Sequence, residues 1–256
     1  MANFAVVAPL NIVEKLKEGR TLGFTHLLLA HDVVAYPTKY RGIFHPDNMR
    51  HPERNVILDT SVVELGKAVD ASIMIEAAHI VQPTTIVLPD VPLKQEETVC
   101  AVHEALFTWG PKLLGKGVSS GYMLCPQGKD ITEYIQCAEA FARHPKITSW
   151  GVPRDAMKIM PSRQQLVRLF NAINPVRKIH LLGFSDNMMD DVVTARMPQV
   201  SSIDSAVPLR SKRELSLTTI MQPRGDWWET ATYDDIIAYN LWTVRGWVGD
   251  KFHFWD

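Results

Sequence analysis

The stretch "NVILDTSVVELGKAVDASIMIEAAHIVQPTTIVLPD" (residues 55–90) decides the fold. Two short apolar runs, 55–59 and 85–90, enclose the segment 61–80, where apolar residues recur at helical spacing after Ser61, a candidate N-cap. A strand, a helix and a second strand in this order form a parallel βαβ unit, because parallel neighbours need a crossover connection. Both runs are continuously apolar, as expected of strands that are buried on both faces.

The same unit recurs along the whole chain. Apolar runs bounded by Gly, Pro or polar residues predict strands at 4–8, 26–30, 55–59, 85–90, 121–125, 147–151, 179–183 and 200–204. Amphipathic segments between them predict helices at 61–80, 130–143, 161–173 and 186–197. About eight such units in 256 residues predict an α/β fold, a single-domain (β/α)8 TIM barrel. A doubly wound sheet is the alternative.

Two segments depart from this alternation. Residues 31–54 are polar and predict a long loop after the second strand, a length that is usually functional or disordered. Residues 215–256 are rich in Trp and Tyr and predict a C-terminal helical segment that packs on a barrel formed by residues 1–214.

Composition limits the possible partners and compartment. The formal net charge is -1, so that the chain lacks the strong overall positive charge of many nucleic-acid binders. A polyanion would therefore have to bind to local basic patches. The three cysteines show no CxxC spacing and predict neither a disulfide framework nor a zinc ribbon. The N-terminus does not read as a signal peptide, and no apolar run is long enough to cross a membrane. We therefore expect a cytoplasmic protein without a membrane partner.

Polar residues follow several of the predicted strands. In a barrel, active sites lie at the carboxyl ends of the strands. A single aspartate there is usually a helix cap or turn residue, but three at corresponding places favour a shared site. The residues at these ends are Asp59, Asp90, Cys125-Pro126-Gln127-Gly128, Gly151, Gly183 and Asp204.

These residue types suit chemistry at a sugar that carries a purine. A carboxylate can attack the anomeric carbon and form a covalent glycosyl intermediate. Other carboxylates can accept hydrogen bonds from the N–H groups of a guanine-like base, and a glutamine and a backbone N–H can donate to its carbonyl. The reaction needs no cofactor and no metal, and the spacing of His31, His45 and His51 does not form a helical HxxxH pair.

Six motifs in order carry a family resemblance. The segments "LDTSVVELG", "IVLPDV", "CPQG", "WGVP", "HLLGFS" and "SIDSAVPLR", between about residues 55 and 214, resemble the tRNA-guanine transglycosylase superfamily. They are most similar to its short phage branch, the DNA-guanine transglycosylases that insert 7-deazaguanines into DNA. The resemblance implies a TIM barrel and exchange of guanine for a free 7-deazaguanine base such as preQ0.

The resemblance also implies a role for each matching residue. Asp204, in "IDSAVPLR", is implied as the nucleophile that attacks C1′, and Asp59 as the general acid/base. Asp90 is implied to recognise the base. The purine carbonyl is implied to be read by Gln127 and Gly128, with a further backbone contact at Gly151.

The sequence departs from the tRNA enzymes in two places, and the second departure favours DNA as the substrate. The first acid is followed by "TSVVELG" in place of the family's Ser-Gly-Gly-Phe-Gln run. No cysteine follows Cys137, so that the zinc subdomain of the tRNA enzymes is missing. Base exchange on tRNA and a non-catalytic nucleic-acid-binding barrel subunit remain the alternatives. The sequence makes no prediction about the oligomeric state.

Local basic residues are the candidates for contact with nucleic-acid phosphates. They are Arg210, Lys212 and Arg213, directly after the predicted nucleophile, and Arg50 and Arg54 in the predicted loop. The tryptophans at 227, 228 and 242 could stack on bases, but packing of a terminal helix onto the barrel is the favoured interpretation.

Overall fold

The structure, a computed structural model, describes residues 2–217, 228 and 232–250. Eight parallel strands close into a barrel in sequence order. The strands are β1 (Asn3–Val6), β2 (Thr25–Leu29), β3 (Asn55–Asp59), β4 (Thr85–Val87), β5 (Gly121–Leu124), β6 (Ile147–Pro153), β7 (Lys178–Leu182) and β8 (Val200–Ser205). β8 pairs with β1, with Asp204 opposite Ala5, which closes the barrel. The predicted (β/α)8 barrel is confirmed.

Helices surround the barrel and connect its strands. They are α1 (Leu10–Glu18), α2 (Ala30–Ala35), α3 (Pro37–Phe44), α4 (Val62–Leu65), α5 (Ala71–Val81), α6 (Gln95–Gly115), α7 (Ile131–Glu139), a 3-10 helix (Arg154–Lys158), α8 (Arg163–Ile173), α9 (Met188–Ala195), α10 (Val207–Arg210) and α11 (Asp235–Val248). Within the described ranges, no helix has both the length and the apolar character needed to cross a bilayer.

The prediction of a long loop over residues 31–54 is wrong, because α2 and α3 occupy most of it. Pro37 stands in the first turn of α3, where its missing N–H and fixed φ favour a helix start. Tyr40, Ile43 and Phe44 are buried at spacings of three and four residues, and they form the face that packs on the barrel. The polar residues of the segment lie on the opposite face, and their number explains why the composition of residues 31–54 resembles that of a loop.

The prediction of one continuous helix over residues 61–80 is also wrong. Ser61 has a φ of 62°, in the left-handed region, and its side chain caps no helix. Gly66, at a φ of 73°, ends α4 after a single turn, and α5 begins at Ala71. The break keeps α4 beside the end of β3, and this arrangement shapes the site described below.

The C-terminal helix α11 packs on β1 and on the neighbouring helices α9 and α10. Arg245 donates hydrogen bonds to the carbonyls of Thr21 and Leu22, each at 3.0 Å, and so ties α11 to the turn before β2. Trp242 is 65% exposed and does not serve the packing that we expected of it. Trp227 lies outside the described residues, and Trp228 packs against the apolar side chains in the barrel lumen.

A layer of apolar side chains fills the middle of the barrel. It consists of Ala5, Val7, Leu27, Leu29, Ile57, Val87, Met123 and Cys125. A polar cavity of about 670 Å³ lies below this layer, at the amino ends of the strands, and a pocket of about 200 Å³ lies above it, at their carboxyl ends. The layer forms the floor of the upper pocket, which is the end of a barrel where active sites are built.

Candidate active site

The pocket at the carboxyl ends brings together most of the acids that the sequence singled out. Asp59, Asp90, Asp204 and Gln127 all line it, as does Arg210. The chain adds charged groups that we did not predict as site residues, namely Glu64 on α4 and Arg154 and Asp155 in the 3-10 helix. Side chains from separate strands therefore converge on one concave site.

Asp204, near the end of β8, is held through one of its two carboxylate oxygens. Its Oδ1 accepts hydrogen bonds from the Gly183 N–H at 3.1 Å and from His180 Nε2 at 2.9 Å. The residue is 7% exposed, and what remains accessible faces the pocket. Both donors come from β7 and the turn after it, so that the strand next to β8 fixes this carboxylate.

His180 is a residue of the site that sequence reasoning missed. It is 1% exposed on β7, and its Nδ1 lies 2.7 Å from Ser202 Oγ on β8. The available signal was a histidine in an otherwise apolar strand, in register with the strand that carries Asp204. By its sequence, "IHLLG" predicts only an apolar strand that ends in Gly183.

A buried arginine fixes the turn after β7. The guanidinium of Arg163 donates to the carbonyls of Gly183 at 2.6 Å, Leu182 at 3.2 Å and Val152. It also forms an ion pair with Asp191 at 3.0 Å, and both side chains are 0% exposed. Gly183 has a φ of 67°, which favours glycine. Arg163 thus holds in place the peptide whose N–H reaches Asp204.

Asp59, at the end of β3, is a carboxyl group that retains its proton at neutral pH. Burial, and to a smaller extent the nearby Glu64, Asp90 and Asp204, raise its pKa to about 8, against the lowering effect of the Ser61 N–H. That N–H donates to Asp59 Oδ2 at 2.7 Å, and the backbone of Ser61 is left-handed at this point. A carboxyl group that is protonated near pH 7 can act as a general acid.

Asp90 and Gln127 form a pair in the wall of the pocket. Gln127 Nε2 donates to Asp90 Oδ2 at 2.5 Å, while its Oε1 accepts from the Leu93 N–H at 3.2 Å and from the Tyr134 hydroxyl at 3.3 Å. Burial raises the pKa of Asp90 to about 6, although the bond from Gln127 lowers it. The amide therefore orients Asp90, and its Nε2 has a second hydrogen to offer a ligand.

The two glycines predicted to contact the base are not among the residues that line the pocket. A Cβ on Gly128 would lie 2.6 Å from Glu133 Cβ and 2.7 Å from the Tyr134 nitrogen, in the first turn of α7. A Cβ on Gly151 would meet the sulfur of Cys125 and lie 3.0 Å from Leu182 Cδ1. Both positions need glycine because neighbouring atoms approach closely.

Replacing Gly151 with alanine is expected to destabilise the protein by about 1–3 kcal/mol, the usual cost of overpacking. Gly42→Ala is the matched control, because a Cβ there meets nothing within 4 Å on the exposed side of α3. It should be neutral or stabilising by about 0.5–1 kcal/mol. Urea unfolding measures both values. Equal stabilities for the two variants would show that Gly151 is not closely packed.

The basic residues divide between the two ends of the barrel. The prediction that Arg54 contacts phosphate at the active site is wrong. Arg54 lies five residues before Asp59, about 16 Å away along the direction of β3, and it lines the cavity at the amino end. Its guanidinium donates to the carbonyls of Phe44, Val81 and Gln82, with the shortest bonds at 2.7 Å. It joins α3 to α5 and cannot contact phosphate at the pocket.

The other predicted phosphate contacts have different positions. Arg50 is exposed in the segment that leads to the amino end of β3, so that it too lies away from the pocket. Lys212 and Arg213 are exposed after α10 and are not among the lining residues. Arg210 is the one predicted cation that lines the pocket, and Arg154 joins it there.

The sequence matches no protein-family model, and no curated protein gives a significant match. The resemblance to the transglycosylase superfamily therefore stays a prediction that rests on the six motifs. In the part of the chain that the structure describes, no group of three or more His, Cys, Asp or Glu side chains is arranged to hold a metal ion.

Proposed function

We propose that this protein is a guanine transglycosylase that exchanges guanine in DNA for a 7-deazaguanine base such as preQ0, through a covalent bond between Asp204 and the sugar. One observation carries the proposal. Asp204 is anchored by two hydrogen bonds to Oδ1 in a pocket that also holds a protonated Asp59 and the paired Asp90. A fixed carboxylate and a separate proton donor are what base exchange at C1′ requires.

The two carboxyl groups divide the chemistry between them. Asp204 Oδ2 attacks C1′, the C1′–N9 bond breaks, and its electron pair goes to N9, which takes the proton of Asp59. Neutral guanine then leaves. The incoming base returns a proton to Asp59 as its N9 attacks C1′, and the bond between C1′ and Asp204 breaks. The two half-reactions leave the enzyme unchanged, without an external acid, base or cofactor.

Base selection falls to Asp90 and Gln127. The carboxylate of Asp90 can accept hydrogen bonds from the N1–H and the exocyclic amine of guanine, which 7-deazaguanines share. The second hydrogen on Gln127 Nε2 can donate to the purine carbonyl. The bond from Gln127 favours the charged form of Asp90, and the carboxylate needs this form in order to accept both hydrogens.

The pocket suits a single base presented by a polynucleotide. Its volume of about 200 Å³ is below the range of about 300–1,000 Å³ typical of pockets for drug-sized ligands. A duplex cannot enter it, so that the target nucleotide must be flipped out, at a cost of a few kcal/mol, or lie in a single strand. Arg154 and Arg210 supply positive charge at the pocket for the flanking phosphates.

Residues 138–256 contain no cysteine, whereas the tRNA enzymes that the sequence resembles carry zinc ligands after the nucleophile, and this difference favours DNA over tRNA as the polynucleotide. A cytoplasmic location (the host cytoplasm, if the protein is phage-encoded) suits this substrate. It also suits Cys100, Cys125 and Cys137, which are all free thiols.

The decisive experiment offers labelled guanine or preQ0 to the protein together with single-stranded DNA, duplex DNA or tRNA. We expect label to enter DNA and mass spectrometry of the digested nucleosides to identify the inserted base. Incorporation of the labelled base into tRNA alone would show that the protein exchanges bases in tRNA and not in DNA. Nucleic-acid binding without exchange, and without a covalent adduct on a denaturing gel, would favour the non-catalytic barrel subunit.

A further inference from the structure

Three side chains form a hydrogen-bonded row inside the barrel, from the pocket towards the cavity at the amino end. Asp204 Oδ1 lies 2.9 Å from His180 Nε2, and His180 Nδ1 lies 2.7 Å from Ser202 Oγ. Ser202 and Asp204 are two residues apart on β8 and share its inward face, and Ser202 is in register with His180. All three side chains are buried.

The chemistry of the row determines which atom donates. An ionised carboxylate only accepts hydrogen bonds, so that the hydrogen between Asp204 and His180 must belong to His180 Nε2. In a neutral imidazole Nδ1 is then an acceptor, and the Ser202 hydroxyl is the donor that fills it. The carboxylate of Asp204 thus selects the tautomer, and Ser202 supplies the hydrogen-bond partner of the second ring nitrogen.

We propose that His180 and Ser202 are positioning residues for Asp204, which hold Oδ1 so that Oδ2 is the oxygen that attacks the sugar. This inference rests on the proposed function, since it assigns the orientation of the nucleophile in that reaction. The Gly183 N–H is the second donor to Oδ1, so that both bonds come from β7 and its turn. Among the described contacts of Asp204 none involves Oδ2, which leaves that oxygen for the pocket.

The setting shows why this carboxylate needs such support. Neighbouring acids disfavour a further negative charge, and donors to Oδ1 offset this effect. The charged and titratable groups that face Asp204 from the surrounding elements are Asp59 on β3, Glu64 on α4, Asp90 after β4, Cys125 after β5, Arg154 and Asp155 in the 3-10 helix, Arg163 on α8, His180 on β7 and Arg210 on α10.

The same three residue types occur in the triads of serine hydrolases, which suggests a different use of the row. In that use Ser202 would be the nucleophile. However, Ser202 is 2% exposed and lines the cavity at the amino end, whereas Asp204 lines the pocket at the carboxyl end. The row therefore presents its carboxylate, not its hydroxyl, to the end of the barrel where active sites form.

The test compares the kcat and KM of base exchange in His180→Phe, His180→Gln and Ser202→Ala. His180→Phe should lower kcat by about 10- to 100-fold, the effect of losing a hydrogen bond to a charged group. KM should stay within about 3-fold of the wild-type value, because binding does not require the Oδ1 bond.

The other variants separate positioning from packing. His180→Gln retains an N–H donor near the place of Nε2 and should recover most of the lost activity, whereas Ser202→Ala should show a smaller loss in the same direction. Ser201→Ala is the matched control, because this hydroxyl, on the same strand, donates to the Ile179 carbonyl at 3.0 Å and has no part in the row. It should behave as wild type.

A second measurement does not depend on activity. Carbon-13 NMR of labelled aspartate carboxyls at a fixed pH, assigned with Asp204→Asn, should show that the chemical shift of the Asp204 carboxyl differs from wild type in His180→Phe and in Ser202→Ala. An unchanged chemical shift of the Asp204 carboxyl in both variants would overturn the proposal, as would a Ser202→Ala variant as inactive as Asp204→Asn. Wild-type protein without exchange activity would instead count against the proposed function, and the NMR comparison would still decide the role of His180.

Discussion

Replacing Asp204 with asparagine is expected to lower the rate of base exchange by at least about 10⁴-fold while the barrel stays folded. An amide cannot form the covalent bond to C1′ that the proposed reaction needs. The asparagine Oδ1 can still accept from His180 Nε2 and the Gly183 N–H, so that the local hydrogen bonds survive. Initial rates of labelled-base incorporation into DNA measure the loss.

The covalent intermediate gives this prediction a second readout. Wild-type protein incubated with DNA and quenched in denaturant should show a protein–DNA adduct that the Asp204→Asn variant lacks. Asp47→Asn is the control, because Asp47 has a side chain that is 71% exposed, in the segment that leads to the amino end of β3. It should exchange bases at the wild-type rate. An adduct of undiminished yield in Asp204→Asn would assign the nucleophile to another residue.

Replacing Asp59 with asparagine is expected to lower activity by about 10²- to 10⁴-fold, the usual contribution of a general acid. The pKa of Asp59 is raised to about 8 by burial and by Glu64. The wild-type kcat should therefore fall as the pH rises through about 8, where the group loses its proton. A pH profile of wild-type exchange from pH 5 to 10 measures this alkaline limb, which should be missing from the residual activity of Asp59→Asn.

The same substitution should stabilise the fold at alkaline pH. The folded-state pKa of about 8 exceeds the ordinary aspartate pKa of 3.8, so that between these values the folded protein binds a proton that the unfolded chain does not. The stability due to this proton is fully present below about pH 3.8 and is lost as the pH rises through about 8. Asparagine does not titrate, so that the Tm of the variant should rise relative to the Tm of wild type as the pH increases from about 3.8 to about 8.

The size of the gain follows from the same linkage. Each pKa unit of difference is worth about 1.4 kcal/mol, or roughly 3–5 °C in Tm for a chain of this length. Asp90→Asn is the matched comparison, because the pKa of Asp90 is raised only to about 6. The difference in Tm between Asp90→Asn and wild type should stop growing near pH 6. The difference for Asp59→Asn should continue to grow to about pH 8. Identical pH windows for the two variants would contradict the separate pKa values.

The arrangement of the strands was predictable because each strand has a local pattern. All eight described strands overlap the predicted runs, since parallel strands buried on both faces are continuously apolar whatever surrounds them. The shared position of Asp59, Asp90 and Asp204 follows from that pattern, because a closed barrel brings the carboxyl ends of its strands to one mouth. The helix break at Ser61 was less predictable, because the left-handed backbone and the N–H bond to Asp59 leave no trace in the spacing of apolar residues.

The amino-acid sequence by itself determined the barrel and the three acids at its mouth, because periodicity and strand ends are properties of neighbours in the chain. Only the tertiary structure showed that Arg54 binds carbonyls at the other end of the barrel and that Gln127 is bonded to Asp90. It alone placed His180, 24 residues away in the sequence, against Asp204. Such contacts arise where separate strands meet, and hydrogen-bond partners depend on distance and direction in space, which the order of residues does not record.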